Sequence, residues 1–143
     1  LNACICRFYN VYGPHHITNG DYATVVGIFE RQYLNGEPLT ITADGKQKRD
    51  FTHIDDIVDA LISCVNSNVK GKELELGRGV NYSINQIADM FGKSYNKKYI
   101  PERPGEYPET LASNSEAKRV LNWNPKKNIK DYITNWVKEN KNV

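Results

Sequence analysis

Cysteine is scarce in this chain: Cys4, Cys6 and Cys64 are the only three. The count is odd and the spacing fits no zinc or redox pattern. Cys4 and Cys6 alternate along an apolar run and so share one face of a strand. They read as small core residues of a chain in a reducing, cytoplasmic compartment. An excess of one charge is lacking too. Nineteen Lys and Arg against seventeen Asp and Glu leave a net charge of +2, which excludes nucleic-acid binding by bulk electrostatics. The late lysines, such as Lys97-Lys98 and Lys126-Lys127, are interrupted by Asn and Glu and read as solvated faces. No apolar run approaches the about 18 residues of a membrane helix, so no membrane partner is expected. No G-x-G-x-x-G loop is completed; Gly77-Arg78-Gly79 follows a strand-like segment but reads as a turn. His53 lies near Asp55 and Asp56, yet no G-x-S-x-G elbow accompanies them, which argues against a hydrolytic triad. His15 and His16 are adjacent and have no partner four residues on, so no metal site is expected.

What is present describes a folded domain. Hydrophobic residues make up 39% and charged residues 25% of 143 positions, enough for one modest core. The opening run "LNACICRF" is apolar apart from Arg7 and suits a strand buried on both faces, as in a parallel sheet. On that reading the chain opens inside a fold. Helical periodicity runs from Tyr22 to Leu34 and ends at Asn35-Gly36. Leu39–Thr42 reads as a short strand and Ala43-Asp44-Gly45 as a turn. Asp55 is a candidate N-cap for a helix carrying Ile57, Leu61, Cys64 and Val65 on one stripe. "KELEL" alternates like a half-exposed strand. Ser83-x-x-Gln86 and Ser113-x-x-Glu116 are capping boxes for two further helices. "KKYIPERPGEYPE" reads as a proline-stiffened loop, and a final helix carries Ile129, Ile133, Trp136 and Val137. The pattern is α/β, with too few strands for a complete sheet protein.

The arginines carry the clearest chemical signal. Arg31 and Arg119 fall in helices and read as solvated. Arg49 follows a turn and heads a strand-like run, and Arg103 stands between Pro101 and Pro104-Gly105. A guanidinium on a stiff backbone binds a phosphate bidentately with little entropic loss. This pair is therefore a candidate anion clamp.

Five segments occur in the order of one known family: "RFYNVYGP", "GEPLTITADGKQKRDFTHIDDIVDAL", "LGRGVNYSINQIADM", "RPGEYPE" and "AKRVLNWNPKKNIKDYI". Over essentially all its length the chain resembles the C-terminal part of the extended short-chain dehydrogenase/reductases, most of all the UDP-glucose 4-epimerase-like nucleotide-sugar epimerases and dehydratases. The resemblance implies that residues 1–143 are a C-terminal substrate-binding portion, with one or two strands of the parallel Rossmann sheet (residues 1–13 being the last part of that sheet and its following loop) plus a small α/β subdomain. It implies an isomerase or lyase type of reaction on a nucleotide-diphosphate sugar. Asn10 resembles the asparagine that hydrogen-bonds the diphosphate-sugar, and Phe8 and Tyr9 would lie by the nicotinamide of NAD. Tyr22 and Ala23 match the helix start that approaches substrate. Thr40 and Thr42 match the strand that reads the pyrimidine. Arg49 and Arg103 match the two arginines that grip the diphosphate. Glu106 stands where the family usually has an Asp near the ribose. Complete members also carry a Gly-rich NAD loop and a Tyr-x-x-x-Lys pair, and neither occurs here; Tyr95 has Lys98 only three residues on. The N-terminal Rossmann part is thus expected to be absent, with no catalytic residue and no NAD binding in this chain alone. The expected partner is the missing half, or a second copy through the first strand. The alternatives are a non-catalytic nucleotide-sugar-binding module and one half of a split enzyme.

Overall fold

The computed structural model describes residues 3–141. Leu1 and Asn2, counted above with the sheet segment, and Asn142 and Val143 lie outside the described residues. Among the described residues, eight short strands and five helices follow one another in an α/β arrangement. β1 (Cys4–Phe8) pairs in parallel with β6 (Lys72–Leu76), setting Cys6 against Leu74 and Phe8 against Leu76. α2 (Ile54–Asn66) packs on β1, and α4 (Ser115–Leu121) packs on β6. Their inward side chains form one core of Ile57, Ala60, Leu74, Leu76, Ala117, Leu121 and Trp123.

A second, larger core holds the other lobe together. β3 (Leu39–Thr42) pairs in parallel with β8 (Lys97–Ile100), and β4 (Lys48–Asp50) pairs antiparallel with β7 (Asn81–Ser83). α1 (Val25–Leu34) lies on β3, and α3 (Ile84–Phe91) packs against α5 (Ile129–Glu139). Val26, Phe29, Leu39, Ile41, Ile87, Phe91, Ile129 and Ile133 close this core. Each full burial of such a side chain stabilises by about 1.5–3 kcal/mol. A short parallel pair, β2 (Val11–Tyr12) with β5 (Thr52–His53), connects the lobes. Tyr12 belongs to the larger core, while Val11 packs against the smaller one.

Several expectations change. β1 is covered on one face only: Cys4 and Cys6 pack inward, while Ile5 on the opposite face is more than half exposed, and Phe8 at the strand end is about half exposed. α1 starts at Val25, because the Thr24 hydroxyl accepts the Gly27 N–H at 3.1 Å and sets the cap there. Tyr22 and Ala23 therefore belong to the preceding turn, not to the helix. α2 is capped by His53, whose Nδ1 accepts the Asp55 N–H at 3.1 Å; Asp55 is inside the first turn. The apolar stripe expected on α2 divides in two. Ile57, Ala60 and Cys64 pack inward. Val58, Leu61, Ile62 and Val65, spaced as one helical face, are exposed. The Ser83–Gln86 capping box forms. The Ser113–Glu116 box does not: the Ser113 N–H is donated to Glu75 instead, and Glu116 pairs with Lys72 and Arg119. Finally, Lys97–Ile100 is a strand rather than loop, because the exposed edge of β3 recruits it.

Candidate functional site

Asp50 organises the region beneath the site. It is fully buried, and its carboxylate accepts the backbone N–H groups of Arg78 (2.9 Å), Gly79 (2.8 Å) and Ala112 (3.2 Å). The Gly77-Arg78-Gly79 turn is thus an anion cradle whose anion is the chain's own carboxylate. A Cβ added at Gly77 would stand 2.2 Å from that of Ala112 and 2.9 Å from Asp50 Oδ2, which restricts the position to glycine.

Successive side chains of a strand point to opposite faces. With Asp50 turned inward, Arg49 faces a cavity of about 360 Å³. The Arg49 side chain is mostly buried; Nη1 donates to the Lys48 carbonyl at 2.8 Å and Nη2 to Glu106 Oε1 at 3.0 Å. Glu106 Oε2 accepts from the Thr42 hydroxyl at 3.4 Å. Arg103 reaches the same cavity from a turn closed by the Glu106 N–H on the Arg103 carbonyl. The segment carrying that turn is moored to β4: the Lys48 N–H donates to the Pro108 carbonyl at 2.9 Å, and the Thr110 N–H to the Lys48 carbonyl at 3.0 Å.

The remaining expected substrate residues line this cavity as well. Asn10 sits between β1 and β2 with a positive φ of 27°, and its Nδ2 donates to the Asp50 carbonyl at 3.1 Å. Tyr22 and Ala23 border the mouth, Tyr22 almost fully exposed. Thr40 and Thr42 line the cavity from β3. The Thr40 edge is held by a residue the sequence reading passed over: Gln32 accepts the Thr40 N–H at 3.0 Å and donates to its hydroxyl at 2.9 Å. Nothing local in the sequence marks Gln32; its role shows only in its burial on the inner face of α1 against β3. Phe8 and Tyr9 do not line the cavity. Phe8 is half exposed at the carboxyl end of β1, and the Tyr9 hydroxyl donates to Glu75 at 2.9 Å. The arrangement joins a cationic pair, one member countered by a carboxylate, to threonine hydroxyls and an apolar floor that includes Phe51 and Ile84. It suits a ligand with an anionic middle and polar ends.

Asn10 enters the cavity from just past the carboxyl end of β1, the side on which ligands bind in open parallel α/β sheets. The pattern of the NAD dependent epimerase/dehydratase family matches residues 1–77. The chain belongs to that family. Relatives carry the likeness further along. A UDP-glucuronate 4-epimerase of Thermodesulfobacterium geofontis is 34% identical over 98% of this chain and 44% of its own length. A UDP-N-acetyl-alpha-D-glucosaminuronate decarboxylase of Bacillus cytotoxicus is 35% identical over 76% of this chain and 34% of its own length. In three dimensions, the Bacillus cereus UDP-glucuronic acid 4-epimerase in complex with UDP-glucuronic acid and NAD superposes with a TM-score of 0.81 and 29% identity. That superposition covers 95% of this chain and 45% of the other. The chain therefore spans less than half the length of the relatives it matches.

Proposed function

We propose that this chain is the nucleotide-sugar-binding part of an NAD-dependent UDP-sugar epimerase, dehydratase or decarboxylase, inactive by itself. The observation that carries the reading is the single cavity joining Arg49 and Arg103 to Asn10, Thr40, Thr42 and Glu106. Arg49 and Arg103 hold the diphosphate, Asn10 orients it toward the sugar, and the β3 threonines face the base. Glu106 turns from Arg49 to the ribose when the diphosphate arrives. Tyr22 and Ala23 close over the sugar side.

Of the residues present, Phe8 offers an apolar ring face at the end of β1 that fits the nicotinamide edge of NAD. Tyr9 offers less, its hydroxyl being engaged by Glu75. Bound NAD supplies a transient oxidation of the sugar. The residues of this chain bind the substrate, orient it and shield it from water. The base that moves the hydroxyl proton would come from the Rossmann half.

The outward stripe of Val58, Leu61, Ile62 and Val65 on α2, with Ile5 and Phe8 on β1, supports completion by that half. Scattered exposed apolar residues are ordinary, but four along one helical face mark a covered surface. Calorimetric titration tests the proposal. UDP should bind weakly and NAD not at all, and Arg49→Ala should weaken UDP by about 1.5–3 kcal/mol, the scale of a charged hydrogen bond. Equal UDP affinity in the variant would leave Arg49 as a structural partner of Glu106 alone, and tight NAD binding would overturn the division of labour.

A further inference from the structure

All three cysteines of the chain converge on one point. Cys4 and Cys6 project from the same face of β1, and Cys64 meets them from the inner face of α2. The Cys6 and Cys64 sulfurs are 3.7 Å apart, and all three sulfurs lie within 4.8 Å of one another. None of them lines the nucleotide-sugar cavity. We propose that Cys4, Cys6 and Cys64 form a three-sulfur site for a thiophilic metal ion of the Zn²⁺ or Cu⁺ class.

The distances suit this. Zinc–sulfur bonds of about 2.3 Å at tetrahedral angles place ligand sulfurs about 3.8 Å apart. Cys6 and Cys64 already have that separation, and Cys4 needs to close by at most about 1 Å, within reach of a side-chain rotation. The two strand cysteines are fixed by the β1–β6 register and the third by the packed helix, so the donors stand on rigid elements. An all-sulfur donor set selects soft ions over Mg²⁺ or Ca²⁺. Binding exchanges thiol protons for the ion, and no electron moves. A water or other small ligand takes the fourth position of zinc. The bound ion would tie β1 to α2 across their packed inner faces.

The test uses the full 143-residue chain, reduced and freed of metal. Zn²⁺ is titrated against a chromophoric chelator, and Co²⁺ is added separately as a spectroscopic probe of sulfur ligation. One Zn²⁺ should bind per chain, and Co²⁺ should give a thiolate charge-transfer band. Cys6→Ser and Cys64→Ser should each weaken Zn²⁺ by more than about 100-fold, beyond the loss caused by removing an outer-shell partner. Alkylation followed by mass spectrometry on the unaltered protein gives a readout that needs no variant: Zn²⁺ should protect the three thiols together. The proposal is overturned if the triple Ser variant binds Zn²⁺ as tightly as the unaltered chain. Alkylation unchanged by Zn²⁺ overturns it too.

Discussion

Replacing Asp50 by Asn is the sharpest test of how the site is held. The side chain keeps its shape and loses its charge and one acceptor. In the native arrangement Oδ1 accepts from Arg78, and Oδ2 accepts from Gly79 and Ala112. An asparagine has one oxygen, so its best pose keeps the two bonds to Gly79 and Ala112 and aims an NH₂ at the Arg78 N–H. One charge-assisted bond, worth about 1.5–3 kcal/mol, disappears, a buried donor faces another donor, and two bonds become neutral. The expected loss is about 3 kcal/mol. With a urea slope of about 1.5 kcal/mol/M the unfolding midpoint falls by about 2 M, without a change in slope. Equilibrium urea unfolding followed by tryptophan fluorescence reads this directly, since Trp123 belongs to the core beneath the cradle. A loss below about 1 kcal/mol at unchanged slope would refute the account of Asp50 as the anion of its own cradle.

Two further outcomes follow from the geometry. Glu106→Gln removes the carboxylate that competes for Arg49, and inorganic pyrophosphate, which has no ribose, should then bind more tightly by about 1 kcal/mol; calorimetry showing no gain would mean that Glu106 does not guard the arginine. Burial holds the His53 imidazole below its ordinary 6.5, so the unfolded chain takes up the proton first as pH falls. Stability should therefore decline as pH drops through and below that value. His53→Asn, which keeps an acceptor for the Asp55 N–H, should flatten the decline in melting temperature between about pH 7.5 and 5. An unchanged slope in the variant would assign it elsewhere.

Local signals were readable in the chain and nonlocal ones were not. The Ser83 capping box, the Gly36 stop and the periodicity of α3 and α5 depend on neighbours within a few residues, and all appear as expected. The start of α2 was misplaced because an imidazole can cap a helix, whereas composition points to the aspartates that follow. The α2 stripe looked single because periodicity counts apolar positions without asking what covers them. Here one set meets β1 and β6, and the other meets solvent. β8 needed the edge of β3 to become a strand. The arginine pair stood out by its turn and proline context, and the family resemblance supplied the other cavity residues. Asp50, Gln32 and the meeting of Cys64 with Cys4 and Cys6 had no local signature, since each joins groups distant in the chain.

Lys48 has an exposed side chain with no role in the cavity, yet its main chain is the axle of the whole grip. Its N–H and carbonyl moor the segment that follows Arg103, and that carbonyl also receives the Arg49 guanidinium. The Arg49 arm and the segment that follows Arg103 are therefore both tied to the main chain of one residue. Chemical identity at position 48 is free to drift, while chain length there is not: one residue gained or lost in β4 would exchange the inward carboxylate with the outward guanidinium. The spacing between the arms is thus written in backbone, where side-chain substitution cannot edit it.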